Sequence, residues 1–384
     1  MKYRVILLSL IVATTVMVPA YAAVLRVEQD GTGGYLKIQD AVNVAASGDT
    51  IMIGPGRYDD LQPRGVNNVV CVAYWEDNRN LTFIGESADE VIIGPVTYAP
   101  SGTGPQGIHQ HEPADVVVRS MSFTNLRAAV VVGRGTVLID RVRFDTGESG
   151  LAVQVADTCI VRNSSFTDYP AVPGDNGQAI IFNGAEFAEI VGCEFIDSYV
   201  YFGSTRNGIL RDCISSHDKF AGYAASGGLI QGCVASGYVF VYNRDPMRIE
   251  GNTLTSPSFN LRADRQETRV IVERNTVSSP TTVGNFQIAD NTGSFAAREN
   301  DIRAGAGYAV LVFSGGVQGA VRHLDMGDNY WFENSSAAAL DSLIYDANDD
   351  STVLAIVDYE PIRTESVPVK KESLGGLKAL FLGR

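Results

Sequence analysis

His217, Asp218 and Lys219 put a base, an acid and a cation at three consecutive positions, the groups that proton transfer needs. A polar turn uses the same residue types, so the triplet is a weak catalytic candidate. His109 and His111 stand two apart and share one strand face, which suits a pair of imidazole ligands. No third ligand accompanies them, and no metal is expected there. The run Asp346, Ala347, Asn348, Asp349, Asp350 offers calcium-type oxygens but lacks the glycine of a calcium-binding hand loop. It reads as a cap on the preceding helix end, with calcium as the alternative; no other cofactor is expected. Cys193, Cys213 and Cys233 step by twenty residues, a spacing open to a metal site, a disulfide framework or a backbone repeat.

The surrounding segments decide for the backbone. "AEIVGCEF", "GILRDCIS", "GLIQGCVA", "MRIEGNTL", "VIVERNTV" and others share an apolar residue, a turn position three later, and an apolar or small residue two beyond. That register falls on Met121, Val142, Ser164, Cys193, Cys213, Cys233, Asn252, Asn275, Asn300 and Leu324. A period of roughly 20–25 residues with β-branched runs and Gly/Asn/Asp turns predicts a β-solenoid. The leucine pattern of leucine-rich repeats and the 3.6-residue periodicity of helical repeats are both missing. About ten to twelve coils stacked at the parallel-strand spacing make one rod, with ten registers covering on the order of 45 Å. The cysteines then stack at one turn position. Side chains pointing the same way do not give a disulfide torsion, so free, buried thiols are expected, and Asn252, Asn275 and Asn300 form an amide ladder.

Lys2, Arg4, the apolar run "VILLSLIVATTVMV" and "PAYA" predict a signal peptide over 1–22, cleaved near Ala22. Residues 23–363 form a single solenoid domain and 364–384 a basic, apolar tail that either sorts, docks or frays. The protein is expected to be secreted, periplasmic or on the cell surface, monomeric, and without a membrane span. A net charge of −14 excludes nucleic acid as the main partner. Solenoid ends must be covered, and two helices serve. One places Ile38, Ala41, Val42 and Ala45 on one face before Gly48; the other has Ser335 or Ser336 as N-cap and Leu340, Leu343 and Ile344 as its stripe.

The opening coil, with Asp30, Gly31, Gly33, Gly48, Asp49, Ile51, Pro55, Gly56 and Tyr58, resembles the right-handed parallel β-helix proteins of the pectin-lyase-like superfamily. The closing "NYWF" is similar to the Asn-Tyr-Trp-Gly of their last coil, with Phe332 at the glycine position. The resemblance implies the fold and leaves activity open, because lyases, hydrolases, esterases and non-catalytic proteins share it. Gln178, Cys193, Cys213 and Cys233 align with the pectin methylesterase scaffold, but Tyr199 and Phe220 stand where its two aspartates belong, and Asp218 comes two residues early. Methylesterase activity is rejected. The paired acids of polygalacturonases and the arginine motif of pectate lyases are also missing.

The repeat also sets which residues face outward. Ile108, Ala129, Leu151, Ile180, Val200, Phe220, Val239 and Leu311 read as inward, so alternation turns Tyr199, Tyr201, Tyr223, Tyr238, Phe240 and Tyr242 outward. Aromatic faces stack on sugar rings, so these six are the expected binding residues for a polysaccharide or surface glycan. The excursions "VTYAPSGTGPQ" and "TDYPAVPGDNG" leave just before this strand and wall a cleft over it. Two other readings stay open: a polysaccharide lyase or hydrolase acting in the same groove, and a structural or adhesive repeat.

Overall fold

A computed structural model describes residues 22–366 apart from 66, 98–103, 169–177, 218, 224–226, 243–244, 257–258, 264–267, 280–283, 306, 317–319 and 333–335. The leader, Asp218, most of both excursions, Ser335 and the tail from 367 lie outside the described residues. The chain winds into three parallel sheets, each strand pairing with its counterparts one coil earlier and one coil later. The first sheet runs from Val24–Val27 and Thr50–Ile53 to Ala355–Asp358. The second runs from Gly56–Tyr58 and Val91–Ile93 to Ile362–Arg363. The third runs from Val69–Trp75 and Gln106–Pro113 to Ile344–Tyr345. Gln62–Arg64 pairs antiparallel with Val69–Cys71.

One residue position makes the coil turn. Between the first and second sheets Ser120, Arg141, Asn163, Gly192, Asp212, Gly232, Gly251, Arg274, Glu299 and Asp328 all take left-handed φ values of 52° to 66°. A single left-handed residue kinks the strand, and the next side chain enters the core. There the predicted ladder forms. Cys233 N–H donates to Asn252 Oδ1 (2.8 Å), and Asn252 N–H donates to Asn275 Oδ1 (2.9 Å). Asn275 N–H donates in turn to Asn300 Oδ1 (2.9 Å). The series ends at Asn329 Oδ1, which accepts from Asn300 N–H at 2.9 Å. The expected register residue Leu324 is instead a buried first-sheet residue paired with Val357. This coil takes 29 residues from Asn300 to Asn329, against 25 from Asn275 to Asn300, so the turn falls later, at Asn329.

Because each coil repeats the last, like side chains stack. Phe123, Phe144, Phe166 and Phe195 form a column with centroids 5.5, 4.6 and 5.2 Å apart, a spacing set by the strands. At the amino end, helix Ile38–Val44 buries Ile38, Ala41 and Val42, while Asp49 accepts from Ala23 N–H and Ala46 N–H, both at 2.7 Å. Near the carboxyl end, helix Ala337–Asp341 is capped by Ser336 Oγ, which accepts from Ala339 N–H at 3.2 Å. Its expected stripe breaks up: Leu340 is buried in the helix, but Leu343 follows it and Ile344 belongs to the next strand. Asp346 corrects the helix-capping expectation as well. It follows a strand, and its carboxylate accepts from Asn348 N–H and Val357 N–H, both at 2.8 Å. Phe332 adopts φ 49°, the left-handed region that favours glycine, beneath the Arg303 guanidinium 3.6 Å from its ring centroid.

Candidate functional site

The outer faces of the first and third sheets differ in chemistry. On the first, Arg211 pairs with Glu189 (3.1 Å), Arg248 with Glu273 (2.9 Å) and Arg274 with Glu250 (3.2 Å), a solvated ladder that adds little stability per pair. On the third, strand register runs one outward column through Tyr74, His109, Val131, Ala152, Ile181, Tyr201, Gly222, Phe240, Arg262, Gln287, Leu311 and Tyr345. That column carries no carboxylate, on a chain whose net charge is −14. Its rings include Tyr74, His109, Tyr201, Phe240 and Tyr345, and its one arginine is Arg262.

Tyr201 and Phe240 occupy this column as expected, half-buried, on either side of Gly222. Tyr238 packs edge-on against Phe240 at 4.5 Å, and Tyr242 stacks on Phe240 at 5.9 Å. Phe259 adds a further ring 4.3 Å from Tyr238. Arg262 lies 5.4 Å above Phe240 and 5.8 Å from the Phe313 ring, a cation–π arrangement. Phe259 and Arg262 were not singled out from the sequence, although carrying the repeat one coil further, to Leu261, reaches them.

Tyr223 is not an outer residue. A β-bulge between Lys219 and Ala221 inserts Phe220 as one extra residue, and a one-residue insertion exchanges the faces of the residues after it. Ala221 and Tyr223 therefore enter the core, Tyr223 pairs with Phe202, and Gly222 takes the outward position. Phe220 is buried as expected, but Ala221 is the partner of Val200. The same count fails at two further places. Val130, not Ala129, pairs with Ile108 and Leu151. Val310 and Val312 are buried while Leu311 faces outward.

Tyr199 faces the same side but is only 5% exposed. Its hydroxyl accepts from Gln178 Nε2 (2.8 Å), His217 stacks on its ring at 6.0 Å, and Lys219 Nζ sits 5.3 Å from the ring centroid. Lys219 N–H donates to His217 Nδ1 (3.0 Å), so the imidazole holds its own turn. His217 and Lys219 are thus brought together over Tyr199; Asp218 lies outside the described residues.

At the amino end of the column His109 and His111 stand with ring centroids 6.2 Å apart. Tyr74, 6% exposed, is packed 5.2 Å from His109 and donates its hydroxyl to Glu76 Oε1 at 2.5 Å. His109 Nδ1 meets Gln106 Oε1 at 2.5 Å. An amide oxygen only accepts, so Nδ1 carries the proton. Burial, reinforced by the nearby His111 and Arg127 charges, pulls His109 down to about 4, which keeps it neutral near pH 7. No group of three or more His, Cys, Asp or Glu side chains is placed to hold a metal among the described residues.

The chain matches no protein-family model, and no curated protein matches it. Solved structures do. It is similar to pectate lyase Pel9A over 73% of this chain and 78% of that one, at 13% identity and a TM-score of 0.46. It is similar to the PL6 family alginate lyase AlyGC over 92% of this chain and 58% of that one (13% identity, TM-score 0.39). A mannuronic acid specific polysaccharide family 6 lyase from human gut microbiota aligns over 94% of this chain and 100% of that one (9% identity, TM-score 0.36). The three stacked parallel sheets make the architecture a parallel β-helix.

Proposed function

We propose that this exported β-helix binds an extended polysaccharide or surface glycan along the outer face of its third sheet. The observation that carries this reading is the outward column in which Tyr201 and Phe240 flank Gly222, with Lys219 and Arg262 close by. Rings aligned along the stacking axis suit successive sugars, and a chain laid across the coils meets one strand position every 4.8 Å or so. The two cations and the lack of carboxylates in the column favour a polymer with acidic substituents. Affinity electrophoresis in gels containing alginate, polygalacturonate or a neutral β-glucan tests it. Retardation of the wild type by at least one polymer, reduced at least tenfold in affinity by Tyr201→Ala with Phe240→Ala, is expected. Equal mobility of wild type and variant in every gel overturns the proposal.

A second reading, cleavage in the same groove, draws on Lys219 and His217 meeting over Tyr199. It predicts new reducing ends or ultraviolet absorbance from unsaturated uronates, lost in Lys219→Met. A substrate panel giving neither product removes it.

A further inference from the structure

We infer that His109 and His111 form a second glycan-binding tier at the amino end of the same face, contacting sugar hydroxyls, so that one polymer occupies both tiers. The inference rests on the proposed glycan binding and adds where, and over what length, the polymer is held.

The tier is built rather than incidental. His109 is held on one side by Gln106 Oε1 at Nδ1 and on another by the Tyr74 ring. Tyr74 is itself fixed through its hydroxyl bond to Glu76. A Cβ added at Gly65 meets the Tyr74 hydroxyl at 2.3 Å and Glu76 Oε1 at 2.4 Å, so the hairpin closes directly over this support. With the Nδ1 proton engaged, Nε2 is the ring's acceptor. His111, exposed and nearly parallel to His109 at 23°, extends the ring surface outward.

The charges around His109 are Glu76, His111 and Arg127, with Glu112 acting on the neighbouring Tyr74. Opposite signs are mixed here, whereas Lys219 and Arg262 give the distal tier a cationic character. The amino tier therefore suits neutral hydroxyls, and the distal tier suits rings and acidic substituents. Between them the column runs through the buried Val131 and the half-buried Ala152 and Ile181, none of which has a polar side chain to compete for the chain. His109 and Tyr201 are roughly 19 Å apart along the column at the parallel-strand spacing. Linking two weak tiers through one ligand raises its affinity well above either alone.

Calorimetric titration of size-graded oligomers of alginate, polygalacturonate and a neutral β-glucan tests the inference. Affinity is expected to climb at least tenfold once an oligomer is long enough to span both tiers. His111→Ala, at an exposed position, and His109→Gln should remove that climb, whereas Tyr201→Ala with Phe240→Ala should weaken short and long oligomers alike. Affinity without a length step, or equal loss for short and long oligomers in both variants, overturns the second tier. Binding that is sensitive to Tyr201→Ala but lacks the step leaves the distal site standing alone. Failure of the wild type to bind any oligomer overturns the glycan reading and this inference together.

Discussion

Tyr223 stacks on Phe202 inside the coil, ring centroids 4.6 Å apart, while Tyr201, the residue before Phe202, faces outward. The two tyrosines should respond oppositely to truncation. Tyr223→Ala empties a fully buried aromatic site and is expected to cost about 3–5 kcal/mol. Tyr201→Ala should change stability by only about 0.5 kcal/mol while weakening retention in polysaccharide gels. Denaturant titration with affinity electrophoresis checks both. A stability loss at Tyr201 as large as that at Tyr223 would contradict the assigned faces.

Gly222 controls the attitude of the Tyr201 ring. A Cβ built at Gly222 lies 3.0 Å from Tyr201 Cδ2, and the ring has to move to admit it. Gly222→Ala is expected to fold, because the neighbour that must yield is an outward side chain, and to lower glycan affinity several-fold. Unchanged affinity with an unchanged melting temperature would show that the ring's attitude is irrelevant to binding.

The asparagine ladder is a stability device, and Asn275 is its middle rung. Its Oδ1 accepts from Asn252 N–H and Nδ2, and its Nδ2 donates to Ile249 O (2.7 Å), Glu273 O (2.9 Å) and Asn300 Oδ1 (3.0 Å). Asn275→Ala strands several buried groups at about 1–3 kcal/mol each. Asn275→Asp keeps the shape but loses the donors and buries a charge. Asn275→Cys should be the mildest, since Cys233 Sγ already accepts from Cys213 N–H (3.4 Å) and donates to Gln231 O (3.4 Å) at this position. Melting temperatures should fall in the order wild type, Cys, Ala, Asp. Asp melting above Cys would refute the donor argument.

The ladder was legible because its residues repeat at one position in every coil and their chemistry is specific to a turn. Asn252, Asn275 and Asn300 appeared directly, whereas Leu324 fitted the apolar template by chance and displaced Asn329. The outer face was less legible for a physical reason. At Phe220 and Ala221, and at Ala179 and Ile180, both members of an adjacent pair are buried, and nothing in their apolar character marks which is the inserted residue. A bulge is a backbone event; its side-chain signature is lost when both residues suit the core. His109 and His111 were legible as a pair on one strand face, but their support was not: Tyr74 and Glu76 come from the preceding coil, more than thirty residues earlier.

His109 makes stability depend on pH in a definite direction. Its folded value is about 4, below the ordinary 6.5 that the unfolded chain regains. Between those values the unfolded state binds a proton that the folded state refuses, so stability falls as pH is lowered from 6.5 towards 4. His109→Gln should flatten that part of the curve relative to wild type while leaving the carboxylate contribution common to both. Parallel melting curves of the two proteins across pH 4 to 6.5 would show that the imidazole is not held neutral.

The cysteines should be silent in the folded protein. Cys71, Cys159, Cys193, Cys213 and Cys233 are all free and buried, and burial pushes Cys71 up to about 12 and raises Cys193 and Cys233 well above the ordinary thiol range. The thiolate is the reactive form, so ionisation as well as access is suppressed at these three; at Cys213 burial is outweighed by hydrogen bonds with Cys193 and Cys233 that lower the thiol, and access alone shields it. A chromogenic disulfide reagent should titrate no thiol in the native state and all five after denaturation without reductant. Rapid native labelling would show that the coil opens at the turn column. Fewer than five thiols after denaturation would mean that two of the stacked sulfurs are bridged, despite side chains that point the same way from successive coils.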